Sequence, residues 1–120
     1  MTTQELAREG EDAAAAYLTK NGYVVHVRNF RFGRAGEIDI IATKDGTAVF
    51  AEVKTRSFGS AEEALYSITP TKQKQLIRIA QGYMYTKGLG ELDCRFDILV
   101  VRFQKGVPVI VHYENAFTSM

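Results

Sequence analysis

The chain carries a single cysteine, Cys94, and two histidines, His26 and His112, that stand far apart. One cysteine closes no intrachain disulfide, and a zinc site built on cysteine and histidine has no framework here. A reducing compartment is the simpler expectation, and the expected location is the cytoplasm. No apolar run approaches membrane-spanning length. The stretch MTTQELAREGED is polar and acidic, unlike a signal peptide. An excess of one charge is also lacking: 15 Lys and Arg face 14 Asp and Glu, for a formal +1. Any electrostatic function must then come from where the charges sit. Gly10, Gly22 and Gly36 make no dinucleotide fingerprint, and there is no GxxxxGK[ST] loop, which argues against ATP hydrolysis. Repeats, low-complexity tracts and dividing linkers are absent from the 120 residues, so one domain over 1–120 is expected.

What is present reads as alternating elements. Residues from about 4 to 20 have Leu6, Ala14, Tyr17 and Leu18 near one stripe, which predicts a helix stopped by Asn21-Gly22. YVVHVRNF at 23–30 predicts a strand, and RFGRAG at 31–36 a basic, glycine-bearing loop. EIDIIAT at 37–43 and TAVFAEVKT at 47–55 predict two strands joined by a tight turn at Lys44-Asp45-Gly46. Residues 56–68 read as a loop with one short helical turn. Thr69-Pro70 then starts a helix to about Tyr85, with Leu76, Ile79, Ala80 and Tyr83 inward. Strands at 95–103 and 107–113 close the order, and ENAFTSM at 114–120 reads as a weakly ordered tail unless Phe117 folds back. Tyr66, Tyr83 and Tyr85 are expected to be packing residues. The expected fold is α/β, a mixed central sheet flanked by helices. The helix after the third strand serves as a crossover if its flanking strands are parallel.

Three charges interrupt otherwise apolar strands. Strict alternation puts Glu37, Asp39 and Ile41 on one side of their strand, and Ile38, Ile40 and Ala42 on the other. It likewise puts Phe50, Glu52 and Lys54 together, opposite Val49, Ala51 and Val53. Asp39, Glu52 and Lys54 can therefore converge. Two carboxylates repel each other, and a divalent cation removes the repulsion. Hard oxygen ligands suit Mg²⁺ or Mn²⁺, with the Val53 carbonyl as a further ligand. Such an ion supports phosphodiester hydrolysis, with Lys54 positioning water and neutralising charge. Glu11, on the first helix, is the candidate third carboxylate and metal ligand. Equally open on pattern alone is a cross-strand salt bridge on an exposed sheet face, which is worth little.

The stretches GEIDIIA at 36–42 and AVFAEVKTR at 48–56 resemble the core of the PD-(D/E)xK nuclease superfamily. Together with REGEDAAAAYL, ITPTKQKQL and RFDILVV, they make nearly the whole chain similar to its small YraN-like bacterial members, and more distantly to archaeal Holliday junction resolvases. The resemblance implies a restriction-endonuclease-like core. It also implies Asp39 and Glu52 as ligands of Mg²⁺ or Mn²⁺, Lys54 as the catalytic lysine, and Glu11 as the helix-borne glutamate. Ile38 stands where the superfamily's nominal proline would be. The KQ element after the ExK strand implies Gln73, rather than Gln75, beside the reaction.

Two basic stretches flank these motifs. Arg28, Arg31 and Arg34 precede Asp39, with Phe30 and Phe32 interleaved. Lys72, Lys74, Arg78 and Lys87 follow in a run free of acids from 64 to 90. Both are candidates to grip phosphates, and solvated surface charge is the plainer alternative. Phe32 or Phe58 is a candidate to stack on an unpaired base, or else a loop anchor. Asp97 is expected to orient a basic side chain such as Arg95 or to support the site. His26, His112 and Cys94 carry no catalytic expectation. The expected activity is metal-dependent cleavage of DNA, with branched or distorted DNA as candidate substrates and with RNA cleavage and a catalytically silent DNA-binding scaffold as alternatives. A homodimer would suit a substrate needing two cuts.

Overall fold

Local signals set the element boundaries in the computed structural model, which describes residues 1–57 and 59–118. Phe58, the second stacking candidate, lies outside the described residues. Thr2 caps helix α1, Thr3–Lys20, in a reciprocal box with Glu5. Strands β1, Val24–Arg31, β2, Glu37–Lys44, and β3, Thr47–Thr55, follow. Asp45 and Gly46 both take positive φ between β2 and β3, the backbone that a two-residue hairpin turn demands. The short helix α2, Ala61–Tyr66, supplies the helical turn expected after β3. Thr69 then caps helix α3, Pro70–Lys87, which ends on a left-handed Gly88. Strands β4, Asp93–Gln104, and β5, Val107–Phe117, complete the chain.

The five strands lie in sequence order, β1-β2-β3-β4-β5. All neighbours are antiparallel except β3 and β4, which run parallel and so require the long crossover through α2 and α3. This is the expected α/β architecture, a mixed sheet between helices. Each face buries its own core. Ala14 and Leu18 of α1 pack on Ile40, Val49, Ala51, Leu99 and Val101. On the opposite face Leu76, Ile79, Ala80 and Tyr83 of α3 pack on Ile41, Phe50, Phe96 and Ile98. Each fully buried Leu, Ile or Phe contributes about 1.5–3 kcal/mol, so the two cores fix both helices to the sheet.

Three expectations change. The strand over 107–113 extends through Phe117, whose ring stacks on Phe96 at 5.0 Å, so Glu114–Phe117 belong to the sheet. Tyr66 and Tyr85 are exposed, and only Tyr83 of the three tyrosines packs inward. Alternation also fails along β2. Ile38 joins Ile41 in the α3-side core while Ile40 joins the α1-side core, so the facing reverses around Asp39.

Candidate active site

The irregularity in β2 builds the site. Paired rungs between β2 and β3 stop at Ile40 opposite Ala51. The next rung would set Asp39 opposite Glu52. There the strands part, and the Asp39 carboxylate takes the place of the missing backbone acceptor, receiving the Val53 N–H at 2.8 Å. Across β2 on its other side, Asn29 falls opposite Asp39 in the β1 register and holds a left-handed φ of 55°. Two adjoining irregularities at one point of a regular sheet cost stability and commonly mark a working site.

The gap places carboxylates close together. Glu52 is only 8% exposed. Burial pushes its carboxyl well above the usual range, and the neighbouring Asp39 carboxylate, near enough to share a proton, pushes it further. Lys72 and Lys54 pull the other way without cancelling this, and the Lys72 ammonium reaches Glu52 only at 3.8 Å. Lys54 makes no ion pair among the described residues. It lines a cavity of about 300 Å³ with Glu11, Asp39, Val53, Thr55 and Arg56, floored by Leu6 and Ala7 of α1. Asp39, Glu52 and Lys54 therefore come together, but at a split between strands and not on the flat face that alternation implies.

Glu11 reaches the same cavity because α1 lies unusually close to β3. Gly10 is buried against Thr55, and a methyl built on it would collide with the Thr55 side chain. Burial, and then the charge of Asp39, raise the Glu11 carboxyl. Its oxygen accepts hydrogen bonds from Asn29 at 2.8 Å and from Arg28 at 3.2 and 3.3 Å. Arg28 also pairs with Asp12 at 2.6 Å, so two acids engage this cation. Among the described residues no three His, Cys, Asp or Glu side chains are gathered into a group that could hold a metal ion. Asp39 and Glu52 form the tight pair, and Glu11 stands beside it, tied to β1.

The remaining candidates sort by contact. Gln73 donates to the Ile68 carbonyl at 3.2 Å and lines a separate cavity with Leu65, Phe117 and Ile98, the β4 partner of Glu52. Gln75 instead anchors the 31–36 loop by donating to the Ala35 carbonyl. Phe32 lies against Gly82, where any side chain on α3 would strike its ring, which makes it a loop anchor. Arg34, Lys74 and Arg78 converge on one open groove of about 520 Å³ with Ala35, Thr71 and Gln75, while Arg31 is exposed outside it. Sequence reasoning missed Arg56 and Gly10. Arg56 sits two residues beyond Lys54, so strand period was the available signal. Nothing local marks Gly10, whose role needs Thr55 from another element.

Asp97 forms a second buried ionic cluster. It is 1% exposed and accepts from Arg95 at 2.8 and 2.9 Å, from the Asn115 N–H at 3.0 Å, and from His112 at 2.7 Å. The other ring nitrogen of His112 meets the Tyr17 hydroxyl at 3.2 Å, and Arg95 also donates to Tyr23 at 2.7 Å. Every buried side-chain polar atom among the described residues is satisfied. His112 thus has a structural role that its sequence context did not suggest. Cys94 is an exposed free cysteine, and partial desolvation of its thiol pushes it up to about 11, which leaves little thiolate at neutral pH. No helix of the described residues is long and apolar enough to cross a membrane.

Comparisons with known proteins agree with the motif resemblance. A UPF0102 protein of Chlorobium phaeobacteroides is 41% identical over 95% of this chain and 94% of its own length. One from Chlorobium chlorochromatii is 46% identical over 98% and 85%, and one from Geobacter sulfurreducens 40% over 93% and 88%. Residues 10–101, from the α1 glycine through most of β4, match the profile of Uncharacterised protein family UPF0102, and the chain belongs to that family.

Proposed function

We propose that this UPF0102 member is a metal-dependent nuclease that hydrolyses phosphodiester bonds in DNA, with branched or distorted duplexes as the favoured substrates. One observation carries the reading: the buried Glu52 carboxylate and the half-buried Asp39 carboxylate meet where β2 and β3 part, and the protein's own cations leave Glu52 hard to ionise. A packed ion pair would be closed; here the Asp39 member opens on a cavity also lined by Lys54, which makes no ion pair among the described residues. The donor set fits Mg²⁺ or Mn²⁺, since Asp39, Glu52 and the Val53 carbonyl offer hard oxygens and no thiolate. Bound there, such an ion would supply Lewis acidity toward a phosphodiester and a more acidic attacking water.

The chain's own groups do the rest. Asp39 and Glu52 are the residues that would hold the cation, each in its ionised form. Lys54 presents its ammonium to the cavity, where it orients water and offsets charge developing on the phosphate. Glu11, which now accepts from Arg28 and Asn29, would be the further carboxylate ligand. Arg56 adds a second positive charge to the cavity wall. The cytoplasm is the proposed location, and a homodimer the proposed form if two cuts are made.

The test is cleavage of four-way, flap and linear DNA with Mg²⁺ or Mn²⁺. Activity is expected in the native protein and lost in Asp39→Ala; cleavage that survives Asp39→Ala sinks the mechanism. Loss of cleavage on deoxy substitution beside a scissile RNA phosphate would move the substrate to RNA. A second reading is supported by the hold of Arg28 and Asn29 on Glu11: a catalytically silent DNA-binding scaffold. Tight junction binding without metal uptake or cleavage is its signature.

A further inference from the structure

We propose that the groove between the 31–36 loop and α3 is a separate phosphate-binding site that anchors the backbone of one nucleic-acid strand beside the acidic pair. Its location relative to a cut rests on the nucleolytic reading; the binding itself does not.

The groove brings together three cations from two elements, Arg34 from the loop and Lys74 and Arg78 from successive turns of α3. No acid lines it, and none of the three cations makes an ion pair among the described residues. Arg28 and Lys72, which the sequence groups with them, face acids instead. Three like charges sharing one groove repel each other, and an anion relieves that repulsion. Thr71 and Gln75 add polar groups to the wall.

The groove is also held in shape. The Gln75 amide ties the Ala35 carbonyl to α3, and the Phe32 ring fills the space left by Gly82. A fixed loop keeps Arg34 facing Lys74 and Arg78 before any ligand arrives, which lowers the ordering cost of binding. The groove is open and broad, with charges strung along it and no closed cradle. That form suits a run of backbone phosphates better than a single free anion.

Chain continuity fixes the distance to the acids. Ala35 lines the groove and Asp39 lines the cavity, so at most about 14 Å separates their Cα atoms, from about 3.3–3.6 Å per residue.

The experiment measures binding of the full-length protein to labelled duplex and single-stranded DNA in EDTA, across a salt series. The slope of log affinity against log salt is expected to shrink by about 0.9 per substituted cation on duplex, about 2.7 for Arg34→Ala, Lys74→Ala and Arg78→Ala together. Lys74→Arg should keep the native slope, and Lys20→Ala, on the last turn of α1, should change nothing attributable to the groove. If the triple variant fails to fold, the single variants carry the test. Unchanged affinity and slope in well-folded variants overturn the proposal. So does displacement of DNA by inorganic phosphate or pyrophosphate at concentrations too low to act as bulk salt, which would make this a small-anion site. A protein that cleaves nothing yet binds DNA through these three residues loses the nuclease reading and keeps this one. A protein that cleaves while the triple variant keeps its metal-free affinity does the reverse.

Discussion

Two buried carboxylates, Asp97 and Glu52, sit on adjoining strands, and their surroundings treat them in opposite ways. Burial alone would raise both. At Asp97, hydrogen bonds from His112, Arg95 and the Asn115 N–H overcome burial, and the carboxyl lies below its ordinary value. At Glu52 burial is reinforced by Asp39, and Lys72 and Lys54 are too weakly engaged to reverse it. The first cluster is closed: each acceptor position is filled by a donor from β4 or β5. The second is not closed: Lys72 stands at 3.8 Å and Lys54 makes no ion pair among the described residues. A satisfied buried acid reads as structure; an unsatisfied one beside a cavity-lining carboxylate is a candidate for function.

The largest expected effect falls on the closed cluster. Asp97→Asn takes the carboxylate from the largely buried His112 side chain and the half-buried Arg95, which keeps only Tyr23 and the 3.8 Å approach of Glu114, and should cost about 3–5 kcal/mol in denaturant unfolding. Because the folded carboxyl lies below its ordinary 3.8, its contribution is full above that value and is lost as pH falls through the lower folded one. The variant should lack that acid limb, and an equally stable variant would place the cluster among surface pairs. At the open pair the sign reverses. Glu52 is raised above its ordinary 4.5, so its contribution is full below 4.5 and declines as pH rises toward the folded value. In chelator Glu52→Gln should remove this decline and hold or raise the neutral-pH Tm, and with Mg²⁺ or Mn²⁺ supplied its cleavage should fall about 10²–10³-fold. Mg²⁺ or Mn²⁺ should raise the native Tm and not the variant's. A Tm loss like that of Asp97→Asn would erase the contrast.

Smaller effects sharpen it. Gly10→Ala forces α1 off Thr55 and should cost about 1–3 kcal/mol. It should also weaken Mn²⁺ binding, because Glu11 moves with the helix; unchanged metal affinity would remove Glu11 from the site. Tyr17→Phe takes one hydrogen bond from His112 and should cost about 1 kcal/mol by thermal unfolding, with cleavage unaltered.

Much of this was legible beforehand. Helix and strand boundaries followed from Thr69-Pro70, Asp45-Gly46 and apolar periods because those signals act within a few residues. Asp39, Glu52 and Lys54 were visible as charges in apolar strands. Their meeting at a gap was not, since strict alternation assumes an unbroken ladder, and Asp39 breaks it by replacing a backbone acceptor. The basic residues were counted correctly but grouped by sequence. Only contact shows that Arg28 and Lys72 face acids while Arg34, Lys74 and Arg78 share a groove.

The sequence by itself determined the elements, the mixed α/β order and the family, because periodicity, capping and motif spacing are local properties of the chain. The tertiary structure alone decided which charges are balanced and which are not. Ionisation in a buried site depends on distance and desolvation, and residues far apart in the chain, such as Asp97 and Tyr17 or Gly10 and Thr55, acquire both only when the two helical layers close on the sheet.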